Sequence, residues 1–398
     1  MKTKLTSRVA ATTLVTALAC VGLTLPAAGA TGPSDGSARS ATHSTSHSRA
    51  LQSHVDTIMK TGTVAVVARS TGPEGSRYAT GGVADQATGD AARPGDRFRI
   101  ASASKTFVAT VVLQLVGEGR LSLDDTVEHW LPGVVSGNGN DGSTITVRQL
   151  LQHTSGLFDY AADFPEFTSM AGYQADRYTT WSPRQLVAIA MRHAPGFEPG
   201  AGWSYSNTNY ILAGMIIAKV TGHTWAQEVT ARIIRPLGLR DTLAPTTYPR
   251  IPGRHLHGYS NFEEAAPPID VTGFNPSAGG AAGAVISTTG DLTRFYQALL
   301  GGRLLRPAQL VAMKTTVRAP ELDPGWPGIR YGLGLMQIPL SCGGSYYGHG
   351  GDQPGYTTRD GVSGDGRRVV VLNATGDGSS DSSSQQTQND LIDDELCG

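Results

Sequence analysis

The chain has little charge and little cysteine for its 398 residues. Charged residues make up 16% of the sequence, against roughly 25% in an average soluble protein. Acidic and basic residues are balanced, at 33 and 32, so the chain lacks the positive charge that a nucleic-acid-binding protein needs. Glycine is abundant, with 50 residues, but no Gly-X-Y period accompanies it, which excludes a collagen-like structure. The 39% of apolar residues is enough to form a buried core.

The first thirty residues have the pattern of a signal peptide. A basic start (residues 2–8) precedes an apolar stretch (9–25) and a small-residue cleavage site (28–30). The apolar stretch is too short for a membrane span. A lipoprotein anchor at Cys20 is the alternative, but the residues before Cys20 match that signal poorly. We therefore expect residues 1–30 to be removed on export, leaving a secreted, extracellular protein with no stable membrane span.

The rest of the chain divides into a linker and one domain. Residues 31–49 are rich in Ser, Thr, Gly and His and predict a disordered linker. In residues 50–398, strand patterns lie near both ends, for example Thr63–Arg69 and Tyr331–Ile338, and helical spacing dominates between them. We predict an α+β fold: an antiparallel sheet built from both chain ends, with helices on both faces, and an inserted, mainly helical lobe. The sheet lobe is expected at about 50–100 and 280–398, and the helical lobe at about 101–279.

Export also makes the few cysteines informative. After signal cleavage only Cys342 and Cys397 remain. An even pair in an oxidising compartment predicts a disulfide, which would hold the C-terminal segment against the domain. Two free buried thiols are the alternative. The role of the pair would be structural and not catalytic.

Lysine is also scarce, and Lys105 is the one lysine after residue 30 with a serine three positions earlier. In a helix, Ser102 and Lys105 share one face. Ser102 would lie at the helix N-terminus, where backbone N–H groups favour developing negative charge. A buried lysine with a lowered pKa can take the proton of the serine hydroxyl, which turns that oxygen into a nucleophile. A helix-capping serine beside a solvated lysine is the alternative interpretation.

Two further motifs carry groups suited to the same chemistry. Tyr205 and Asn207 stand two residues apart before a helical segment, so the phenol can relay a proton and the amide can hold a substrate. Tyr259-Ser260-Asn261 repeats the pattern but precedes an acidic, proline-containing loop, so we favour Tyr205. His349-Gly350-Gly351 would let a substrate backbone approach closely. The backbone N–H groups of Asp352 and Ser102 could then form an oxyanion hole.

The order Ser-x-x-Lys, Tyr-x-Asn, His-x-Gly resembles the serine β-lactamase and penicillin-binding protein family. The closest likeness is to secreted D-alanyl-D-alanine carboxypeptidases, and it covers about residues 50 to 398. The stretches that carry it are Phe98–Lys105, Leu150–Leu157, Ser204–Gly214, Gly283–Thr288 and Ser341–Gly350.

The resemblance implies a role for each motif residue. Ser102 would form the acyl-enzyme, Lys105 and Tyr205 would handle the protons, and Asn207 would contact the substrate amide. His349 takes the place that a lysine holds in many relatives. The family fold agrees with the one expected from the strand and helix patterns.

Departures from the family bear on the substrate. The carboxypeptidases bind a terminal carboxylate with an arginine and a threonine, and Met336 and Asp352 stand at the matching positions here. Gly350 replaces a second threonine. Arg330 or Arg359 could compensate. Acyl-enzyme chemistry is therefore better indicated than any particular leaving group.

The sequence thus predicts a secreted serine hydrolase, with D-alanyl-D-alanine carboxypeptidase as the leading activity. An esterase, a D-amino-acid amidase or aminopeptidase, or a β-lactamase of the same fold is the alternative. A penicillin-binding module that acylates without turnover is the non-enzyme alternative.

The expected partners are small peptides or β-lactam-like substrates, with cell-wall peptidoglycan as a possible source and no nucleic acid. No cofactor or metal is expected, because His255 and His257 lack further ligands at a familiar spacing. If His349 must be neutral, activity should rise through about pH 6 to 7.

Overall fold

The structure is a computed structural model that describes residues 36–164, 168–263, 265–379 and 382–398. The expected signal peptide, residues 1–30, lies outside the described residues. By compact packing the described residues fall into two units, 36–43 and 44–398, and the first of them is helical.

The expected linker differs from the structure where it is described. Residues 36–49 belong to the helix Gly36–Met59, whereas disorder was predicted for 31–49. Leu51, Val55 and Ile58 are buried on one face of that helix. Because extending a helix costs less than starting one, this anchored turn can support helical residues upstream that have no apolar pattern of their own.

Nine strands in the described residues form one continuous antiparallel sheet, and a tenth joins it at the side. Along the sheet their order is β10-β11-β12-β13-β15-β16-β1-β2-β3, and β14 pairs with β15. β4 pairs with β9, β5 with β6 and β7 with β8. The bounds are β1 Ala65–Gly72, β2 Gly75–Asp85, β3 Asp90–Ala91, β4 Phe98–Arg99, β5 Ser136–Gly137, β6 Asn140–Asp141, β7 Tyr259–Ser260, β8 Ile269–Asp270, β9 Ile286–Ser287, β10 Val317–Arg318, β11 Arg330–Tyr331, β12 Met336–Pro339, β13 Ser345–Gly348, β14 Gly351–Gln353, β15 Tyr356–Val362 and β16 Val369–Thr375.

The two ends of the chain meet in the middle of this sheet. β1 pairs with β16 over seven residues, from Ala65 opposite Thr375 to Thr71 opposite Val369. The predicted sheet of both chain ends is therefore confirmed. The single strand expected over Tyr331–Ile338 is instead the hairpin β11–β12, because the chain reverses at Gly334, whose φ is +70°.

The helices of the described residues lie mainly between the two groups of strands. Their bounds are Gly36–Met59, Ser104–Gly117, Val127–Trp130, Val147–Gln152, Met170–Asp176, Pro183–Ala190, Asn207–Thr221, Trp225–Val229, Arg235–Leu237, Gly280–Gly283, Thr289–Leu300, Pro307–Lys314 and Ser382–Cys397, with one π-helical turn at Thr230–Ile234. Short 3-10 turns occur at Ala101–Ala103, Tyr160–Asp163, Pro276–Ala278, Pro320–Leu322 and Asp377–Ser379.

Alternate residues of β1 face two different cores, as the period of a strand requires. Ala65 and Val67 belong to the core that includes the helix Thr289–Leu300. Val66 and Ala68 belong to the core that includes residues of the first and last helices, such as Val55 and Leu391. Helices thus cover both faces of the sheet, which confirms the predicted fold class.

Cys342 and Cys397 form a disulfide with a Cα–Cα distance of 5.9 Å, so the predicted pair is confirmed. The bridge joins the loop after β12 to the end of the last helix. In the described ranges no helix is both long and apolar enough to cross a bilayer.

Candidate active site

Ser102 lies in a tight turn at the edge of a cleft of about 720 Å³. The 3-10 turn Ala101–Ala103 leads directly into the helix Ser104–Gly117. Ala101 has a φ of +46°, a backbone conformation that a residue with a Cβ seldom adopts. The helix is buried along most of its length, and its Phe107 ring stacks on Phe295 with centroids 3.7 Å apart. Packing therefore fixes the position of the serine.

Lys105 is fully buried one turn after Ser102 and has three polar contacts. Its Nζ lies 2.9 Å from Ser102 Oγ, 2.7 Å from Asn207 Oδ1 and 2.9 Å from the Ala282 carbonyl oxygen. Burial lowers the pKa of the lysine to about 7, although the Coulomb interaction with Asp159 raises it. A neutral amine has two hydrogens and one lone pair. With both hydrogens donated to the two carbonyl oxygens, the lone pair is directed at the serine hydroxyl.

Tyr205 is a second side chain in contact with the serine. Its phenol hydrogen-bonds with Ser102, and burial raises its pKa well above the usual value despite that bond. The Lys105 Nζ atom lies over the Tyr205 ring, 4.8 Å from its centre. The phenol therefore stays protonated near neutral pH, and Lys105 is the group of this pair that can act as a base.

Asn207 is held by a residue that the sequence motifs do not include. Asp159 accepts hydrogen bonds from the backbone N of Asn207 at 3.1 Å and from its Nδ2 at 2.9 Å. These bonds turn Oδ1 of the amide towards Lys105. Sequence spacing could not indicate Asp159, because it lies 48 residues before Asn207 in an irregular loop.

His349 lies behind the cleft instead of lining it. The residue is 1% exposed. Its Nδ1 donates to the Gly350 carbonyl oxygen at 2.6 Å, so Nε2 accepts from the Tyr331 hydroxyl at 2.7 Å. Burial lowers the pKa of His349 to about 3. A rise of activity through about pH 6 to 7 would therefore not come from His349, because desolvation keeps its ring neutral over that range.

Gly350 precedes the strand β14, and Gly351, its first residue, packs against the serine turn. A Cβ on Gly351 would lie 3.0 Å from the Ser102 backbone N and 2.1 Å from the Ile100 carbonyl oxygen, so only glycine allows this approach. The side chain of Asp352, which comes next, lines the cleft and is 50% exposed. The backbone around the expected oxyanion hole is thus close-packed.

The arginines that could have replaced the carboxypeptidase arginine are both engaged. Arg359 Nη1 is bound by Asp352 Oδ1 at 2.9 Å and Oδ2 at 3.1 Å, and its side chain is 5% exposed. Arg330 donates to the Thr316 side chain and carbonyl oxygen. Met336 is buried. Among the described residues, neither of these arginines is therefore free to bind a terminal carboxylate.

The remaining cleft lining is acidic and aromatic. Among the described residues that line it, none is a lysine or an arginine; the charged ones are Glu263, Asp352 and Asp377, and the aromatic ones are Tyr160, Phe262 and Phe274. Ser260, from the second Tyr-Ser-Asn pattern, also lines the cleft. The Tyr259 hydroxyl, however, is bound to Asp85 and to the Gln86 backbone N. Tyr205 is the tyrosine beside the serine, as the sequence favoured.

His153 is a second residue to which the motifs gave no role. It is fully buried with a φ of +62°, and its Nδ1 accepts from the Ser206 backbone N at 3.2 Å and from Asn209 Nδ2 at 3.1 Å. Its ring packs on Tyr205 with centroids 4.3 Å apart. His153 thus holds the segment between Tyr205 and Asn207. Its stretch, Leu150–Leu157, carried part of the family resemblance, which was the available signal.

Comparison with known proteins agrees with this geometry. The family model described as Beta-lactamase matches residues 51–394. The chain is similar to a D-stereospecific amidohydrolase from Streptomyces sp., with a TM-score of 0.81, 44% identity, and 88% of this chain and 98% of that chain covered. A D-amino acid amidase from Ochrobactrum anthropi SV3 gives a TM-score of 0.76 at 30% identity, covering 87% and 97% of the two chains.

The match to a curated protein covers a smaller share of both chains. Penicillin-binding protein 4* of Bacillus subtilis (strain 168) is 30% identical over 277 residues, which cover 66% of this chain and 56% of that relative. The match therefore spans less than two thirds of the relative's length.

Proposed function

Because the chain belongs to the beta-lactamase family of serine hydrolases, we propose that it hydrolyses amides of D-amino acids through an acyl-enzyme on Ser102. The single observation that carries the choice of substrate is the Asp352–Arg359 ion pair. It puts a half-exposed carboxylate in the cleft and occupies the arginine that could have bound an anionic C-terminus. An amide or a free α-ammonium group is compatible with that carboxylate, whereas a terminal carboxylate is repelled.

The acylation step follows from the contacts of Ser102. Neutral Lys105 takes the hydroxyl proton while Ser102 Oγ attacks the carbonyl carbon, and the backbone N–H groups of Ser102 and Asp352 stabilise the oxyanion. The C–N bond then breaks. The Tyr205 phenol gives its proton to the leaving nitrogen and regains one from Lys105.

Deacylation uses the same groups in reverse. A water molecule loses a proton to Lys105 as its oxygen attacks the acyl ester. The bond between Ser102 Oγ and the acyl carbon breaks, and the proton returns to the serine oxygen. Asn207, whose Nδ2 has a second hydrogen, can donate to the carbonyl of the substrate side chain or backbone.

The D-configuration is proposed from the two solved structures, which are named for a D-stereospecific amidohydrolase and a D-amino acid amidase. D-alanyl-D-alanine carboxypeptidase activity was the leading expectation from sequence. It is the less favoured proposal here, because the structure describes no free cation where the terminal carboxylate would bind. Export remains a proposal that rests on the pattern of residues 1–30, and the Cys342–Cys397 disulfide is compatible with it.

The test compares three substrates with the secreted-length protein, residues 31–398, and its Ser102→Ala variant. Ammonia release is measured from D- and L-phenylalanine amide, and D-alanine release from a diacyl-L-Lys-D-Ala-D-Ala peptide. We expect release from the D-amide to be fastest and to vanish in the variant.

Other outcomes have distinct meanings. Faster release from the peptide would replace the proposal by carboxypeptidase activity. Labelling by a fluorescent penicillin without turnover of any of the substrates would indicate a penicillin-binding module. Turnover that survives in the Ser102→Ala protein would exclude Ser102 as the nucleophile.

A further inference from the structure

The side chain of Asp159 accepts three hydrogen bonds, two of them from a single active-site residue. Its Oδ1 accepts from the backbone N of Asn207 at 3.1 Å and from that of Ala161 at 3.1 Å, and its Oδ2 accepts from Asn207 Nδ2 at 2.9 Å. All three donors are N–H groups, so both oxygens act as acceptors. An ionised carboxylate, which has two acceptor oxygens and no hydrogen of its own, is suited to accept all three bonds.

The bond to Nδ2 decides which end of the Asn207 amide faces Lys105. Only the NH₂ end can donate to the Asp159 carboxylate, so the carbonyl end must point the other way, where Oδ1 lies 2.7 Å from Lys105 Nζ. With the amide reversed, NH₂ groups of Asn207 and Lys105 would meet, and Lys105 would lose one of its two carbonyl acceptors.

This acceptor matters because it orients the base. The two carbonyl oxygens, Asn207 Oδ1 and Ala282 O, take the two hydrogens of a neutral Lys105. We infer that Asp159 is a positioning residue: through the Asn207 amide it orients the Lys105 lone pair onto Ser102, and its negative charge favours the ammonium form of Lys105. The inference rests on the proposed acyl-enzyme on Ser102 but on no particular substrate.

The effect of Asp159 on the pKa of Lys105 is consistent with this role. Asp159 raises the pKa of Lys105, against the larger opposite effect of burial, and burial raises the pKa of Asp159 itself. The other titratable groups that face Lys105 are neutral near pH 7, since burial raises the pKa of the tyrosines and lowers that of the histidines. They are Tyr205, Tyr210, His153 and His349. Among the described residues, Asp159 is thus the anion that acts on Lys105.

Asp159 also begins the turn Tyr160–Asp163, where it accepts the Ala161 N–H as an N-cap. A purely structural cap would affect stability and not the pH profile. Asp163 ends the same turn, and its carboxylate pairs with His193 at 2.5 Å. Asp163→Asn therefore removes one negative charge from the same segment without touching Asn207, and is the matched control.

The experiment measures the rate of acylation by p-nitrophenyl acetate between pH 5.5 and 9, with Ser102→Ala as the blank. In Asp159→Asn we expect the acid limb of the rate profile to move to lower pH by about one unit. The negative charge of Asp159 is lost, and Asn207 Oδ1 is no longer held towards the Lys105 ammonium. The plateau should fall by about 10-fold or more, because the lone pair is no longer directed. Asp163→Asn should match the wild type in both respects.

A double-mutant comparison tests the route through Asn207. If Asp159 acts through the amide, Asp159→Asn should slow an Asn207→Ala protein by less than about twofold, since interacting residues are not additive. An acid limb that does not move in Asp159→Asn, or a full additional loss in the double variant, would overturn the inference.

Folding and substrate choice are controlled separately. Near-ultraviolet circular dichroism and the melting temperature show whether each variant is folded. If Asp159→Asn does not fold, the wild-type acid limb is compared with that of Asn207→Ala alone, which must also move down. Wild-type protein that is acylated by the ester but does not cleave D-amides would contradict the proposed substrate and leave this test intact.

Discussion

Gly351 and Ile100 approach so closely that a Cβ on the glycine would lie 2.1 Å from the isoleucine carbonyl oxygen. A side-chain rearrangement could not relieve this clash, because the atom that the Cβ would meet belongs to the backbone of Ile100. The contact fixes the strand β14 against the turn that carries Ser102. Two neighbouring glycines therefore have different requirements, since a Cβ on Gly350 would meet nothing nearer than Arg359 Nη1 at 3.4 Å.

We predict that Gly351→Ala lowers kcat/KM about 100-fold, because the proposed oxyanion donors move apart. Gly350→Ala should retain activity within a few-fold and serves as the control. Steady-state kinetics with a D-amide or a p-nitrophenyl ester measure both. Equal activity in the two variants would show that the spacing between β14 and the serine turn does not matter for catalysis.

The pH dependence of acylation should follow Lys105. Its pKa is lowered to about 7 by burial, and only the neutral amine can accept the serine proton. The rate should therefore rise as the pH increases through about 7. In His349→Gln the acid limb should stay in place, because the His349 pKa of about 3 keeps that ring neutral throughout the range. A limb that shifts in this variant would restore His349 as the titrating group.

Asp352→Asn should change the preferred substrate. The substitution frees the buried Arg359 guanidinium from its carboxylate partner, so the KM for a diacyl-L-Lys-D-Ala-D-Ala peptide should fall several-fold while kcat/KM for D-phenylalanine amide decreases. Leaving the cation unpaired should also destabilise the fold, by up to about 3 kcal/mol. Steady-state kinetics with the two substrates test the change in preference, and urea unfolding tests the loss of stability. An unchanged ratio of the two activities would remove Asp352 from substrate selection.

We expect His153 to tolerate substitution by Asn better than substitution by Phe. Asn accepts positive φ more readily than most residues and offers an acceptor oxygen, whereas Phe keeps the ring and loses the acceptor. We therefore expect His153→Asn to retain more acylation activity than His153→Phe, in which the Ser206 N–H is left without its acceptor. The reverse order would show that the ring contact with Tyr205, and not the hydrogen bond, is what matters.

The disulfide should contribute to stability alone. It closes a loop with a sequence separation of 55 residues, for which chain entropy predicts about 4 kcal/mol. The Cys342→Ser/Cys397→Ser protein should unfold at lower urea concentration, by about that free energy, and keep its acylation rate at low temperature. A reducing agent should destabilise the wild type and have no effect on the double variant, which is the control.

The local part of the site followed from sequence. Ser102 and Lys105 are three residues apart in a helix, so their proximity needs only helical geometry. The fold class followed from the distribution of strand and helix patterns, and the Cys342–Cys397 pair from the small number of cysteines in a chain predicted to be exported. In each case the deciding property is short-range or compositional.

The tertiary structure alone decided the rest. Asn207 lies 102 residues after Lys105 in the chain, and Asp159 lies 48 residues before Asn207, so no spacing rule could join them. Whether His349 would be exposed or buried determined its pKa, and whether Arg359 would be free or paired determined what the cleft can bind. Desolvation and long-range pairing depend on which elements pack together, and sequence patterns specify the elements much better than their contacts.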